Sequence, residues 1–245
     1  MGTQSSPPAG YSDLSAVFIN TTLKPSPQTS HTETLMQASQ ALMEAQGVKV
    51  TSIRAVDHLL APGVQPDMTE NGFDNDEWPD LYASVKAADI LILGTPIWLG
   101  ERSSICSRVI ERLYAHSGDL NDYGQYIFYG KVGGCLVTGN EDGIKHVSMG
   151  ILYSLQHIGY TIPPQADAGW IGEAGPGLSY GDSREDGSRA GFDNDFTQQK
   201  TAFMTWNILH VARMLRDAGG IPAHGNQPRA WKDGHRFGYP GPDKR

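Results

Sequence analysis

Three times along this chain a short apolar run stops in a loop of small and hydroxyl-bearing residues, and a helix-forming segment follows at once. The units cover residues 16–30, 90–104 and 132–143, the last reading VGGCLVTGNEDG. Strands that are short and apolar throughout must be buried on both faces, as in a parallel sheet sandwiched between helices. Each loop then leaves backbone N–H groups uncovered at the carboxyl edge of the sheet, where open α/β sheets bind their ligands. Three converging loops of this kind suit one flat molecule with polar edges.

The rest of the chain supports an α/β reading. Apolar runs at 14–20, 48–53, 90–93, 132–137 and 159–162 read as five strands, the last stopped by Pro163 and Pro164. Between and after them, helical spacing marks 32–46, 80–88, 102–116, 144–158 and 196–218. The first of these helices has Leu35, Ala38, Leu42 and Ala45 on one stripe and ends at Gly47. A single domain over 14–219 is expected, preceded by a disordered arm, 1–13, and interrupted by an irregular insertion, 57–80. Residues 172–195 carry six glycines and no periodicity, and loops of that length are usually functional or mobile. Residues 220–245 form a tail rich in Gly, Pro, His and Arg. In the last long helix Phe203, Met204, Trp206, Leu209, Val211, Met214 and Leu215 cover most of the circumference. Such a helix needs a partner beyond the sheet, and a homodimer or homotetramer is expected.

Composition excludes several classes. The net charge is −8, with 27 acidic against 19 basic residues and no basic block, which disfavours nucleic acid or an anionic membrane as partner. No run of 18 apolar residues exists to form a membrane span. Cys106 and Cys135 lack C-x-x-C spacing and read as reduced, buried thiols. Together with an N-terminus unlike a signal peptide, they predict a cytoplasmic protein. The histidines show no metal-ligand spacing, and Asp74, Asp76 and Glu77 fit no calcium loop. The P-loop, G-x-G-x-x-G and G-x-S-x-G patterns are absent.

The first loop places Thr22, Lys24, Ser30, His31 and Thr32 before and at a helix start. Hydroxyls there can cap the helix or donate to a phosphate, with the helix dipole and one lysine adding positive potential. The second loop runs Thr95-Pro96-Ile97-Trp98-Leu99-Gly100. Its tryptophan is equally suited to an aromatic ligand or to the core. The third, Thr138-Gly139-Asn140-Glu141-Asp142-Gly143, has glycines that permit close backbone approach, while its two acids read as helix-start charges.

At these loops the chain resembles the NADPH-dependent FMN reductase family of the flavodoxin-like superfamily, related to quinone reductases of the tryptophan-repressor-binding-protein type. The family's first loop reads N-G-S-P-R followed by N-T. Here it is Asn20-Thr21-Thr22-Leu23-Lys24 and His31-Thr32, with Lys24 in place of arginine and His31 in place of asparagine. The family's second loop, T-P-x-Y/W-x-G, is matched by Thr95, Pro96, Trp98 and Gly100. The resemblance spans roughly residues 16–164. It implies a flavodoxin-like, doubly wound, five-stranded parallel sheet of order 2-1-3-4-5. It also implies FMN as cofactor, with its phosphate on Thr22, Lys24, Ser30, His31 and Thr32. Thr95, Pro96, Ile97, Trp98, Leu99 and Gly100 would lie along the ring, and Thr138, Gly139, Asn140 and Gly143 would meet its pyrimidine edge. NAD(P)H would be the co-substrate and a quinone or other small molecule the acceptor, so no side chain need be catalytic. The alternative is a flavodoxin-type electron carrier without NAD(P)H turnover of its own.

Overall fold

The computed structural model describes residues 10–175 and 177–242. Five parallel strands, β1 (Ser15–Asn20), β2 (Lys49–Arg54), β3 (Ile90–Trp98), β5 (Val132–Gly139) and β6 (Asp167–Ile171), lie in the order β2-β1-β3-β5-β6. The two-residue β4 (Glu101–Arg102) folds back antiparallel on the end of β3. Setting β4 aside, the order is the expected 2-1-3-4-5. The helices are α1 (His31–Ala45), α2 (Trp78–Ala87), α3 (Ser104–Tyr114), α4 (Ile144–Ile158), α5 (Asp195–Asp217) and α6 (Pro228–Lys232).

The period of two along each strand divides the core. Val17, Ile19, Leu91 and Leu93 face the layer of α2, α3 and α4, where Trp78, Val109 and Ile151 are buried. Ala16, Phe18, Ile90 and Ile92 face α1 and α5, meeting Leu35, Met36, Met204 and Ile208. Both faces are thus covered, as continuous apolar strands require. Register then sets the loops side by side. Asn20 pairs with Gly94, Pro96 with Thr138 and Gly139 with Ile171, so the chain leaves four adjacent strands along one carboxyl edge.

Several expectations change. The fifth strand is Asp167–Ile171, whereas in 159–162 only Thr161 forms a single bridge, to Val132. Pro163 and Pro164 separate the two segments, and strand pairing resumes where Cys135 meets Asp167. Residues 1–9 of the expected arm lie outside the described residues, but 10–13 are not an arm. Tyr11 is 3% exposed and its hydroxyl lies 2.8 Å from His210 Nδ1 on α5. Its ring meets Trp206 edge-on at 6.1 Å. The extra apolar face of α5 is therefore partly covered by the chain's own start. Phe196, Phe203 and Met214 remain exposed on it.

The insertion 57–80 is pinned rather than loose. The Asp76 carboxylate accepts from the N–H groups of Ala61, Met68 and Trp78 and pairs with Arg112 at 2.5 Å. Arg112 also donates to the carbonyls of Gln65 and Pro66. Both charged side chains are fully buried, which is tolerable only with partners this numerous. The tail packs where β5 begins: Gln125 Nε2 donates to Ile221 O, Pro222 O and Asn226 Oδ1. It therefore lies at the amino edge of the sheet, opposite the three loops.

Candidate functional site

Asn20, buried at the end of β1, shapes the first loop. Its Nδ2 donates to Ser30 Oγ at 3.1 Å and its Oδ1 accepts from Thr22 N–H at 3.1 Å. Ser30 caps α1, accepting from Glu33 N–H on its hydroxyl and from Thr34 N–H on its carbonyl. Of the four N–H groups that a helix start leaves without intrahelical partners, Glu33's goes to the Ser30 hydroxyl, and those of His31 and Thr32 are among the three that remain. Glu33, the acid of this first turn, is paired with Arg54, which leaves the positive end of the helix dipole unopposed.

The second and third loops support each other. Leu99 and Gly100 have φ of 53° and 77° and form a two-residue hairpin turn between Trp98 and Glu101. Leu99 N–H donates to Glu141 Oε1 at 2.8 Å. Glu141 is therefore not the helix-start charge expected of it, but a strut between loops. Gly143 packs on Gly100, and a Cβ there would lie 2.9 Å from the Gly100 carbonyl oxygen at a φ of 136°. Only glycine fits. Ser103 caps α3 through Cys106 N–H and donates to Thr21 O at 2.6 Å, tying the second loop to the first. Thr95 Oγ1 accepts from Ser103 N–H, and Thr32 and Thr138 join their hydroxyls at 2.7 Å.

Between the loops lies a cavity of about 530 Å³, within the size range of cofactor sites. Thr22, Lys24, His31 and Thr32 line one end, and Pro96, Ile97, Trp98, Thr138, Gly139 and Asn140 line the rest. Ser30, Thr95, Leu99, Gly100 and Gly143, expected at the ligand, are not among the lining residues: Ser30 and Thr95 are buried, and Leu99 is exposed at the hairpin tip. Leu23 and Glu141 line it without having been expected there, as does a wall from the long loop: Ala174, Gly175, Gly177, Ser179 and Tyr180. The glycine count of 172–195 marked that loop as functional or mobile, but nothing local said where it would land. Asn140 holds it, donating from Nδ2 to Gly177 O at 2.8 Å and Leu178 O at 3.1 Å, while Ser179 Oγ donates to Asn140 Oδ1. Tyr180 is buried against Trp170 and Phe192, and that burial raises its phenol pKa.

No lining group is built as a nucleophile. Burial pushes the Cys106 thiol up to about 11, and Cys135 higher still, so both are inert packing residues. Among the described residues no cluster of three His, Cys, Asp or Glu side chains could hold a metal ion. The donor set does fit a flavin mononucleotide. Amides, hydroxyls and a lysine at a helix start suit the phosphate, and a partly apolar slot suits the ring.

Residues 18–170 match the family described as NADPH-dependent FMN reductase. The 8-demethyl-8-aminoriboflavin-5′-phosphate synthase of Streptomyces davaonensis is 35% identical over 209 residues, 83% of this chain and 79% of its own length. A crystal structure of RosB with a bound 8-demethyl-8-formylriboflavin-5′-phosphate intermediate superposes with a TM-score of 0.78 at 33% identity, covering 92% of this chain and 89% of that one. A Mycobacterium bovis protein named divalent metal cation transporter MntH is 58% identical over 222 residues, 90% of this chain. The chain spans only 32% of that relative's length, and no described helix is long and apolar enough to cross a membrane. The apo NADH:FMN oxidoreductase EmoB, at 14% identity and a TM-score of 0.50, shares the fold. Motifs, topology and relatives agree: the chain belongs to the NADPH-dependent FMN reductase family, as a flavoprotein of the flavodoxin-like fold with FMN as its cofactor.

Proposed function

We propose that the protein oxidises NAD(P)H through FMN held in this cavity and delivers the electrons to a small acceptor such as a quinone. One observation carries the reading: a single cavity joins the start of α1, with Thr22, Lys24 and Thr32, to a slot lined by Trp98 and by residues 138–141. The N–H groups of His31 and Thr32, the hydroxyls of Thr22 and Thr32, and Lys24 would hold the phosphate. Pro96, Ile97 and Trp98 on one loop and Thr138, Gly139 and Asn140 on the other would flank the ring. Backbone amides there favour a ring carrying added electron density. The bound flavin supplies the two-electron chemistry, and the protein supplies orientation and electrostatics. Trp98 is 54% exposed, giving a nicotinamide or quinone an aromatic surface at the mouth.

The experiment is a visible spectrum of the purified protein followed by steady-state oxidation of NADH and NADPH with a quinone. A yellow protein that turns over many equivalents supports the reading. A colourless protein that takes up no added FMN would sink it, and a single reduction without turnover would favour the carrier. A second reading has a specific support, because the structural relative at a TM-score of 0.78 holds a modified riboflavin phosphate described as an intermediate. In that reading the flavin phosphate is what the enzyme alters, and chromatography of the flavin before and after turnover separates the two. A homodimer or homotetramer is also proposed, supported by exposed Phe196, Phe203 and Met214, and a cytoplasmic setting by the two unpaired cysteines. Sedimentation velocity tests the assembly.

A further inference from the structure

His31 does something that its place at a helix start does not require. Its Nδ1 lies 3.0 Å from the carbonyl oxygen of Tyr180, which can only accept, so Nδ1 carries the hydrogen. Asp182 Oδ1 stands 3.7 Å from the same nitrogen, and Asp182 Oδ2 in turn accepts from Ser179 N–H at 2.8 Å. The ring therefore grips the far wall of the cavity, 149 residues away along the chain. Its other nitrogen, Nε2, has no protein partner among the described hydrogen bonds, while the residue itself lines the cavity beside Lys24 and Thr32. A side chain with one nitrogen fixed and the other unclaimed at an anion-binding end is a connector.

We propose that His31 is a positioning residue that couples the phosphate of the ligand to the wall formed by residues 173–175 and 177–182. With Nδ1–H donated to Tyr180 O and, in the doubly protonated ring that the phosphate charge and Asp182 favour, Nε2–H donated to the phosphate, an occupied phosphate end holds the imidazolium, and the imidazolium holds the wall over the slot. The site then selects flavin 5′-phosphates over unphosphorylated flavin in two ways, by direct contact and by ordering the wall. The wall's second attachment, through Asn140, belongs to the third loop, which meets the phosphate end through the Thr32–Thr138 hydroxyl pair. His31 is the one side chain of the phosphate end that hydrogen-bonds Tyr180 directly among the described residues. This inference rests on the reading that FMN occupies the cavity.

The test compares FMN with riboflavin in the wild type, in His31→Leu and in His31→Asn. Affinity is read by quenching of flavin fluorescence, and wall order by amide hydrogen exchange of 173–175 and 177–182. In the wild type FMN should slow exchange in the wall and riboflavin should not. His31→Leu should bind FMN about tenfold more weakly, the scale of one hydrogen bond to a charged group, and lose the wall protection. Its riboflavin affinity should stay within about twofold, and amides of α5 should exchange as in the wild type, reporting an intact fold. In His31→Asn, Nδ2 can still donate to Tyr180 O but nothing reaches the phosphate, so the wall should be held to the same degree with FMN and with riboflavin. A His31→Leu protein with wild-type FMN affinity and wild-type wall protection overturns the inference. So does equal loss of FMN and riboflavin binding, which would make His31 a plain structural support. If the wild type binds neither flavin, the FMN reading itself has failed, and that outcome is recognisable before any variant is made.

Discussion

His116 is 5% exposed, stacked on Tyr82 with ring centres 3.4 Å apart. Trp78 Nε1–H donates to its Nε2, so the lone pair sits there and the Nδ1 hydrogen goes to Asp119. This neutral tautomer leaves no place for a second proton without losing the Trp78 bond. Burial accordingly pulls the His116 pKa below its ordinary value, outweighing the opposing pull of Asp119. A depressed folded pKa means the unfolded chain takes up the proton first. Stability is then full above the unfolded value of about 6.5 and falls as pH drops toward the folded value. Urea midpoints measured from pH 7.5 to 5 should decline, and His116→Gln, which keeps an acceptor for Trp78 without titrating, should flatten that decline. An unchanged slope would mean that other groups dominate. None of this was legible in the sequence, where His116 stood merely at a helix end. The same holds for Asp76 and Glu141, whose carboxylates answer partners 36 and 42 positions away. Hydroxyls at a helix start can be read from neighbours in sequence, whereas the burial partner of a lone acid cannot.

Elements were more legible than residues, for a reason visible in β1 and β3. A fully buried strand advertises itself as a continuous apolar run, and a helix such as α4 by its 3.6 spacing. β6 does neither. Its sequence, DAGWI, buries only Ala168 and Trp170, so its alternation is too brief to stand out beside the apolar run at 159–162. The loops were legible as places where strands end, and so were the hydroxyls and the lysine at the α1 start that line one end of the cavity. Which loop residues face the cavity was not, since the register among strands decides it. Ser103 illustrates how the elements depend on one another. It caps α3 and donates to Thr21 O from a site 1% exposed, so one hydroxyl fixes a helix start and the spacing of two loops. Ser103→Ala should cost about 2 kcal/mol, a lost cap plus a lost buried hydrogen bond. It should also weaken FMN binding several-fold, as measured by fluorescence titration. Lost stability with undiminished FMN affinity would mean that the two loops keep their spacing without it.

At the scale of the molecule, the two edges of the sheet do different work. The carboxyl edge carries the loops, the cavity and the wall. The amino edge carries the starting segment packed on α5 and the tail held by Gln125. Tyr11 probes this division because it is buried, precedes β1, and packs on Trp206 and His210 of α5. Truncating it to alanine removes a buried ring and a hydrogen bond, a change of roughly 3 kcal/mol for an aromatic core residue. For a domain of this size that corresponds to a drop in Tm of roughly 6–12 °C. Added FMN stabilises the folded state by an amount set only by its concentration and its dissociation constant. Remote from the loops, Tyr11→Ala should therefore leave both the FMN dissociation constant and the FMN-induced stabilisation at their wild-type values, on a lowered baseline. Thermal unfolding scans with and without FMN, read beside a fluorescence titration, measure both. A variant whose FMN-induced increment shrinks along with its baseline would mean that the amino edge sets the geometry of the loops through the sheet, and the division of labour would fall.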